Sequence, residues 1–164
     1  MNHIMLPLAL ITLFALAFPN PIRLHVLADG DDAASQNIKL AVRDAVLRDT
    51  ADELSSSGSR PEARRTLIAL EEKIKQSAQR ELARQGVDYG AAVSFGVSDF
   101  PDRQYGERFF PAGKYEALKI TLGSGQGHNW WCVMDPPLCI GDQPAGEVQF
   151  KSALAELISG VKNK

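Results

Sequence analysis

The sequence predicts an α+β fold of two layers, in which helices pack on one face of a mostly antiparallel sheet. Three observations lead to this prediction. Two long stretches of the first half repeat apolar residues at helical spacing. The middle of the chain repeats them at every second position, as strands do. The resulting element order, β-α-α-β-β-β-α, is typical of folds in which helices and strands form separate layers.

The N-terminal segment is apolar and lacks charged side chains. No Asp, Glu, Lys or Arg precedes Arg23, and residues 4–18 are apolar except for one threonine. This run of about 15 residues suits a signal peptide and is shorter than the roughly 20 needed to span a bilayer. Ala15-Leu16-Ala17 offers a cleavage site, but no basic residue precedes the run, so cleavage and retention both stay open. We expect residues 1–20 to be a signal peptide or short anchor and residues 21–164 to form one domain.

The first half of this domain predicts one strand followed by two helices. Residues 22–26 alternate between apolar and polar, which predicts a strand with one buried face and with His25 facing solvent. Two apolar stripes on residues 35–54 indicate a helix that packs on the sheet on one side and on a second helix on the other. Ser59-Arg60-Pro61-Glu62 matches the capping box that starts a helix, and Gly86 is placed to end it.

The second half predicts the remaining strands and a last helix. Residues 89–97 alternate strictly, and residues 118–122 repeat the same pattern. Residues 130–134 can form one more strand. Apolar residues at helical spacing between 150 and 161 predict a C-terminal helix, the third helix of the domain.

Composition excludes several classes of protein. The chain has 164 residues, 45% of them hydrophobic, which suits one globular domain and argues against disorder. With 18 Lys and Arg against 20 Asp and Glu, the net charge is −2, so no basic footprint for nucleic acid is present. Two cysteines are too few for a disulfide-dense miniprotein. We therefore expect no nucleic-acid partner, and no motif calls for a cofactor.

The most unusual part of the sequence lies between residues 100 and 139. The glycines of residues 123–127 lack the Gly-Lys-Ser/Thr ending of a phosphate-binding loop, so a turn between two strands is favoured. Cys132 and Cys139 flank a segment with two adjacent prolines, which could fold back and bring the cysteines within the ~4.4–6.8 Å that a disulfide requires between Cα atoms. A bridge suits an exported chain, and two free buried thiols are the alternative.

Enzymatic interpretations of this region have weaker support. Cys132 as a nucleophile with His128 as its base lacks a third, orienting group, and residues four apart on a strand do not normally face each other. A zinc site formed by His128, Cys132 and Cys139 has none of the recognised ligand spacings. We therefore expect no metal. Paired carboxylates could act as general acid and base, although aspartates beside proline and glycine usually form turns. The carboxylates in question are Asp99, Asp102 and Glu107.

Aromatic residues of the same region predict a recognition surface. Adjacent residues of a strand point to opposite faces, so one of Trp130 and Trp131 is expected to face solvent. Tryptophan and tyrosine are enriched where proteins bind one another. The candidate partner-binding residues are Phe109, Phe110, Tyr115, His128, Asn129, Trp130, Trp131, Pro136 and Pro137.

Eight segments of the domain carry particular residue combinations. They are 22–28 (IRLHVLA), 40–46 (LAVRDAV), 100–101 (FP), 105–106 (YG), 110–118 (FPAGKYEAL), 122–127 (LGSGQG), 129–133 (NWWCV) and 136–139 (PPLC). Through them the sequence strongly resembles the stage II sporulation protein R family of endospore-forming bacteria. Asp135 departs from the apolar or aromatic residue expected before the two prolines, and the tail after Cys139 carries no matching motif.

The resemblance implies an intercellular signal. Such a protein is made in the forespore and exported into the space between the forespore and mother-cell membranes, where residues 4–18 would be its only membrane contact if they are retained. It would activate a membrane-bound aspartic protease that processes pro-sigma-E in the mother cell, and would itself be a ligand and not an enzyme. The alternative is an exported hydrolase that uses Cys132 or the three carboxylates above, with the cell wall as one candidate substrate. A structural envelope protein is a third hypothesis.

Overall fold

Two long helices and seven strands make up the part of the chain that the structure, a computed structural model, describes: residues 20–105, 108–135 and 138–141. In chain order the elements are β1 (Ile22–Leu27), α1 (Ala33–Ser55), α2 (Arg60–Gln85), β2 (Ala91–Phe100), β3 (Arg103–Tyr105), β4 (Arg108–Phe110), β5 (Gly113–Leu122), β6 (Asn129–Asp135) and β7 (Leu138–Gly141). The predicted N-terminal segment and C-terminal helix lie outside the described residues. Within these residues no helix is long and apolar enough to cross a membrane.

Five strands form the main sheet in the order β2-β5-β1-β6-β7. The first strand of the domain, β1, lies at its centre, parallel to β5 and antiparallel to β6. The other pairs in this sheet, β2 with β5 and β6 with β7, are antiparallel. The predicted α+β fold with a mostly antiparallel sheet is therefore confirmed. The short strands β3 and β4 pair only with each other and form a separate hairpin.

Local sequence signals determine where the helices begin and end. Asp32 caps α1 by accepting a hydrogen bond from the Ser35 backbone N–H, and Ser59 caps α2 in the same way through the N–H of Glu62. The Glu62 carboxylate bonds to the N–H of Gly58 instead of to that of Ser59, so the capping box closes one residue earlier than its usual form. Gly86 ends α2 in a left-handed conformation with φ 73°.

The main core lies between the two helices and one face of the sheet. Alternate residues of β1 and β5 project into it, among them Leu24 and Leu118, where they join Val42 of α1 and Ile74 of α2. Each of these four side chains is at most 1% exposed. Apolar burial on this scale is the dominant favourable contribution to folding, and it fixes β1 beneath the helix layer.

Candidate functional site

A fully buried arginine lies on the second face of the sheet, under the β3–β4 hairpin. Arg23 is 0% exposed, and its guanidinium carbon lies 4.5 Å from the ring centroid of Phe100 and 5.0 Å from that of Tyr115. Tyr105 and Phe110 of the hairpin complete the aromatic surroundings at 6.0 and 5.4 Å. Desolvated cation–π contacts of this kind contribute up to about 2 kcal/mol each and are not additive.

Two hydrogen bonds fix the orientation of this guanidinium. Nε of Arg23 donates to the carbonyl of Cys132 at 3.3 Å, and Nη2 donates to the Tyr105 hydroxyl at 3.4 Å. Within the residues that the structure describes, Nη1 has no hydrogen-bond partner. Burial lowers the pKa of Arg23 below its ordinary value, and the nearby Tyr105 acts in the opposite direction. Arg23 therefore links β1 to β6 and holds the hairpin on the sheet.

His25, two residues along β1, is also buried, so the prediction that it faces solvent is wrong. Its ring stacks on that of Trp131 with centroids 3.9 Å apart and is 7% exposed. Burial lowers the pKa of His25 to about 4, with Lys119 acting in the same direction and Asn129 in the opposite one. The sequence pattern failed here because a central strand can be covered on both faces, in which case alternation no longer marks an exposed side.

The predicted exposed tryptophan is a second correction, because both tryptophans are buried. Trp130, on the helix side of β6, is 7% exposed and lies under the guanidinium of Arg43 at 4.8 Å. Trp131, on the other side, is 8% exposed and packs edge-on against Phe100 at 4.7 Å. Each face of β6 therefore carries a covering layer, the helices on one side and the hairpin region on the other.

The remaining candidate residues divide between core and surface. Phe110 and Tyr115 are buried at 9% and 6% exposure, so they belong to the packing around Arg23. Phe109 is 52% exposed on β4, and His128 and Asn129 are exposed at the turn before β6. Pro136 and Pro137 lie outside the described residues. Among the described residues, the exposed members of the candidate surface are therefore Phe109, His128 and Asn129.

The glycine-containing turn between β5 and β6 is bonded to the loop after β1. The Asp29 carboxylate accepts a hydrogen bond from the Ser124 N–H at 2.6 Å, and the Ser124 hydroxyl donates to the Asp29 carbonyl at 2.8 Å. The N–H of Gly127 donates to the Ala28 carbonyl at 2.9 Å. A Cβ at Gly127 would collide with the Gly30 carbonyl, so the two loops touch backbone to backbone. The segment is a turn between two strands, as predicted. Because the Asp29 carboxylate already accepts from the Ser124 N–H, the turn disfavours a phosphate and instead forms a structural joint between the two loops.

An open depression of about 380 Å³ lies beside this joint. Asp31 and His128 form its polar rim, with the His128 Nδ1 2.5 Å from the Asp31 carboxylate. Trp131 and Asn129 contribute to its wall, and Arg103 of β3 brings the hairpin to its edge. The depression and the outer side of the hairpin therefore adjoin each other on one side of the molecule.

The structure does not assemble the enzymatic candidates into a catalytic arrangement within the described residues. Cys132 is fully buried in the core beneath the helices and carries no free thiol, whereas the His128 side chain is 80% exposed. Asp99 pairs with Lys114 at 3.0 Å across the β2–β5 ladder, and Glu107 lies outside the described part. No group of His, Cys, Asp and Glu side chains among the residues described could hold a metal ion.

Fold and site together define a small two-layer α+β domain whose clustered side chains, in the described part of the chain, hold its elements together beside an open depression at the surface. The stage II sporulation protein R family model matches residues 19–145. The chain belongs to that family. It is 40% identical over 126 residues to the stage II sporulation protein R of Bacillus subtilis (strain 168), which covers 77% of this chain and 56% of that protein. The chain thus spans a little over half the length of this curated relative. No solved structure matches it.

Sequence reasoning missed two residues that organise this site, Arg23 and Asp29. Both lie within or next to the segment 22–28 that carries the resemblance, yet a charged residue on a strand ordinarily indicates its solvent side. The signal that could have identified Arg23 is the set of aromatic residues at 100, 105, 110 and 115. Four aromatic rings on one face of a sheet favour a side chain that packs on their π faces, and arginine is such a side chain.

Proposed function

We propose that this chain is an exported intercellular signal of endospore formation. It activates a membrane-bound aspartic protease, which then processes pro-sigma-E in the mother cell. The observation that carries the proposal is the family match over residues 19–145, which spans every element of the described fold. In this proposal the chain acts as a ligand in the space between the forespore and mother-cell membranes. Residues 4–18 target it there and either leave on cleavage or stay as an anchor.

A Cys132–Cys139 disulfide is part of this proposal. The chain has two cysteines, and Cys132 carries no free thiol. In the backbone register of β6 and β7, Cys139 lies opposite Met134, two residues from Cys132. Stable disulfides belong to oxidising compartments outside the cytoplasm, so the bridge supports export.

The surface proposed to contact the protease consists of Phe109, His128 and Asn129. A phenylalanine with half its surface exposed is unusual on a small domain, and aromatic side chains are enriched at the centre of protein interfaces. The depression beside His128 adjoins the hairpin that carries Phe109. An apolar anchor next to a polar depression is the usual composition of a protein-binding surface.

Reconstitution in cells without sporulation machinery tests the function. The chain is co-expressed with the membrane protease and pro-sigma-E, and cleavage of the pro-sequence is followed by immunoblot. We expect cleavage only when the chain is present and exported. If a competent protease stays inactive beside a folded, exported chain, the signalling proposal is wrong and the hydrolase alternative gains support.

Two variants in the same cells test the surface. Phe109→Ser removes the exposed ring without opening the core, so we expect export at the normal level and loss of cleavage. Arg84→Ser is the matched control, because this side chain is 74% exposed near the end of α2 and its ion pair with Glu81 contributes little. Normal cleavage with Phe109→Ser would remove this surface from the proposal and leave the signalling function standing.

A further inference from the structure

Strand β2 forms an edge of the main sheet. It pairs with β5 over ten residues, and no strand within the described residues lies on its other side. Long, regular edge strands attract other strands, and proteins usually protect them with lysine, proline or a bulge. β2 reads AAVSFGVSDF and contains none of these residues, and its register with β5 is regular from end to end. Lysine, proline and a bulge, three of the usual protections of an edge, are therefore absent from this strand.

Two hydrogen bonds establish which backbone groups of β2 point outward. The carbonyl of Gly90, just before the strand, accepts a hydrogen bond from the N–H of Gly123, just after β5. The backbone N–H and C=O groups of the even-numbered residues therefore point toward β5. The N–H of Phe95 instead donates to the Glu71 carboxylate of α2 at 3.1 Å. Because ladder groups alternate along an antiparallel strand, Val93 and Val97 also direct their N–H and C=O groups away from β5.

Exposed apolar side chains lie along the same edge. Among the described residues the exposed large hydrophobic side chains are Val97 at 67%, Phe109 at 52% and Ile68 at 43%. Ile68 lies on α2 between Arg64, whose guanidinium covers the Phe95 ring at 5.8 Å, and Glu71, which binds the Phe95 N–H. Residues three and four apart share a helix face, so Ile68 and Val97 flank the same stretch of edge.

The side-chain pattern of β2 suits antiparallel pairing with a second copy of the same strand. Its odd-numbered positions from 91 to 97 carry apolar side chains on the helix side, and its even-numbered positions from 92 to 98 carry small ones on the other. When two copies of one strand pair antiparallel through outward groups, odd residues lie opposite odd residues. A twofold axis at Gly96 places Phe95 of each copy opposite Val97 of the other, so this pair occurs twice. Pairs of an aromatic and a β-branched residue stabilise sheets.

We propose that β2 pairs antiparallel with β2 of a second copy of this chain, so that the two five-stranded sheets join into one about a twofold axis at Gly96. A Cβ at Gly96 would meet no atom within 4 Å, so the position leaves open space for a close approach. No charged residue lies between positions 91 and 98, so like charges do not oppose each other at the centre. This interface is isologous, as in most soluble dimers. It does not depend on the proposed signalling function.

The Glu71 side chain competes with this pairing and so reduces the affinity of the dimer. Its carboxylate occupies the Phe95 N–H, which in the dimer donates to the Val97 carbonyl of the second copy. The side chain must leave before the strands join, and water can then solvate it. Glu71→Ala removes this competitor, so we expect the variant to associate more tightly than the unchanged chain.

The test measures the mass of the purified full chain by light scattering after size-exclusion chromatography, across a wide range of micromolar concentrations. We expect twice the mass of one chain at the upper end. Val97→Pro removes an outward N–H without removing a bond to β5, and Val97→Lys adds the usual edge charge. Each should weaken association about tenfold or more, equivalent to 1.4 kcal/mol. Circular dichroism checks that each variant is folded.

Phe109→Lys is the matched control, because it removes an exposed apolar side chain from the hairpin and leaves the β2 edge intact. We expect it to keep the mass of a dimer. A monomer at every concentration, or a dimer that both Val97 variants retain, overturns the proposal. A monomeric chain whose Val97→Lys variant loses pro-sigma-E processing also overturns it, and assigns the edge to the protease.

Discussion

His25 makes the stability of this fold sensitive to mild acid. Its ring is stacked on Trp131 and meets Phe100 at a centroid distance of 5.8 Å. Burial lowers its pKa from 6.5 to about 4 in the folded chain. The unfolded chain therefore binds a proton below about pH 6.5, whereas the folded chain resists it until about pH 4, so stability falls as the pH drops through this window.

The size of the effect follows from the two pKa values. A difference of about 2.5 units corresponds to about 3 kcal/mol once both states have titrated, because one unit is worth 1.36 kcal/mol. At pH 4.5 most of this, about 2.5 kcal/mol, is already lost, and at pH 7 almost none is. A loss of this size is a large part of the 5–15 kcal/mol that usually separates folded from unfolded states.

Urea unfolding of the purified chain at pH 7 and pH 4.5 measures the effect, with His25→Phe as the decisive variant. Phenylalanine keeps the stack on Trp131 but cannot bind a proton, so we expect its free energy of unfolding to fall by about 2.5 kcal/mol less than that of the unchanged chain. Carboxylates such as Asp49, whose pKa the Ser77 hydroxyl lowers, titrate equally in both. Equal losses in the two chains would refute the assignment to His25, and His128→Gln serves as the surface control.

Substitutions at three positions test the packing, each by urea unfolding at pH 7. Arg23→Ala should lower the free energy of unfolding by about 3–5 kcal/mol because it opens a cavity among aromatic rings. Arg23→Met should lower it less, since apolar residues of similar volume replace buried charges well. A larger loss with the Met variant would contradict this. Gly127→Ala should cost about 1–3 kcal/mol through its collision with the Gly30 carbonyl, and a neutral result would disprove the close approach. Ser59→Ala should cost about 1 kcal/mol by removing the α2 cap, with Ser55→Ala as the control.

The helix layer was predictable because its signals are local. The Ser59 cap, the Gly86 terminus and the apolar stripe of α2 each depend on residues within a few positions of one another. The alternation of β2 and β5 is equally local, and β2 occurs near the predicted bounds, whereas β5 begins at Gly113, five residues before the strand predicted from residue 118. The hairpin of β3 and β4 was not predicted, because each strand has only three residues and shows no periodicity.

The site was harder to predict because it depends on the order of strands in the sheet. β1 carries Arg23 and His25 at alternate positions, a pattern that indicates an exposed face on an edge strand. In the folded chain β1 lies between β5 and β6, and the hairpin covers its second face. Only the long-range pairing of Arg23 with Val133 and Ala117 decides this, and no short segment of sequence contains that information.

The same strand order determines where a partner can bind. Helices cover one face of the central strands, and aromatic residues around Arg23 fill the other, so the side chains of Trp130, Trp131 and Arg23 are not available for recognition without unfolding. Among the described residues, the two layers leave open the outer side of the hairpin at Phe109 and the β2 edge at Val97. Because these surfaces lie on different elements, a chain paired through β2 would still present two copies of Phe109.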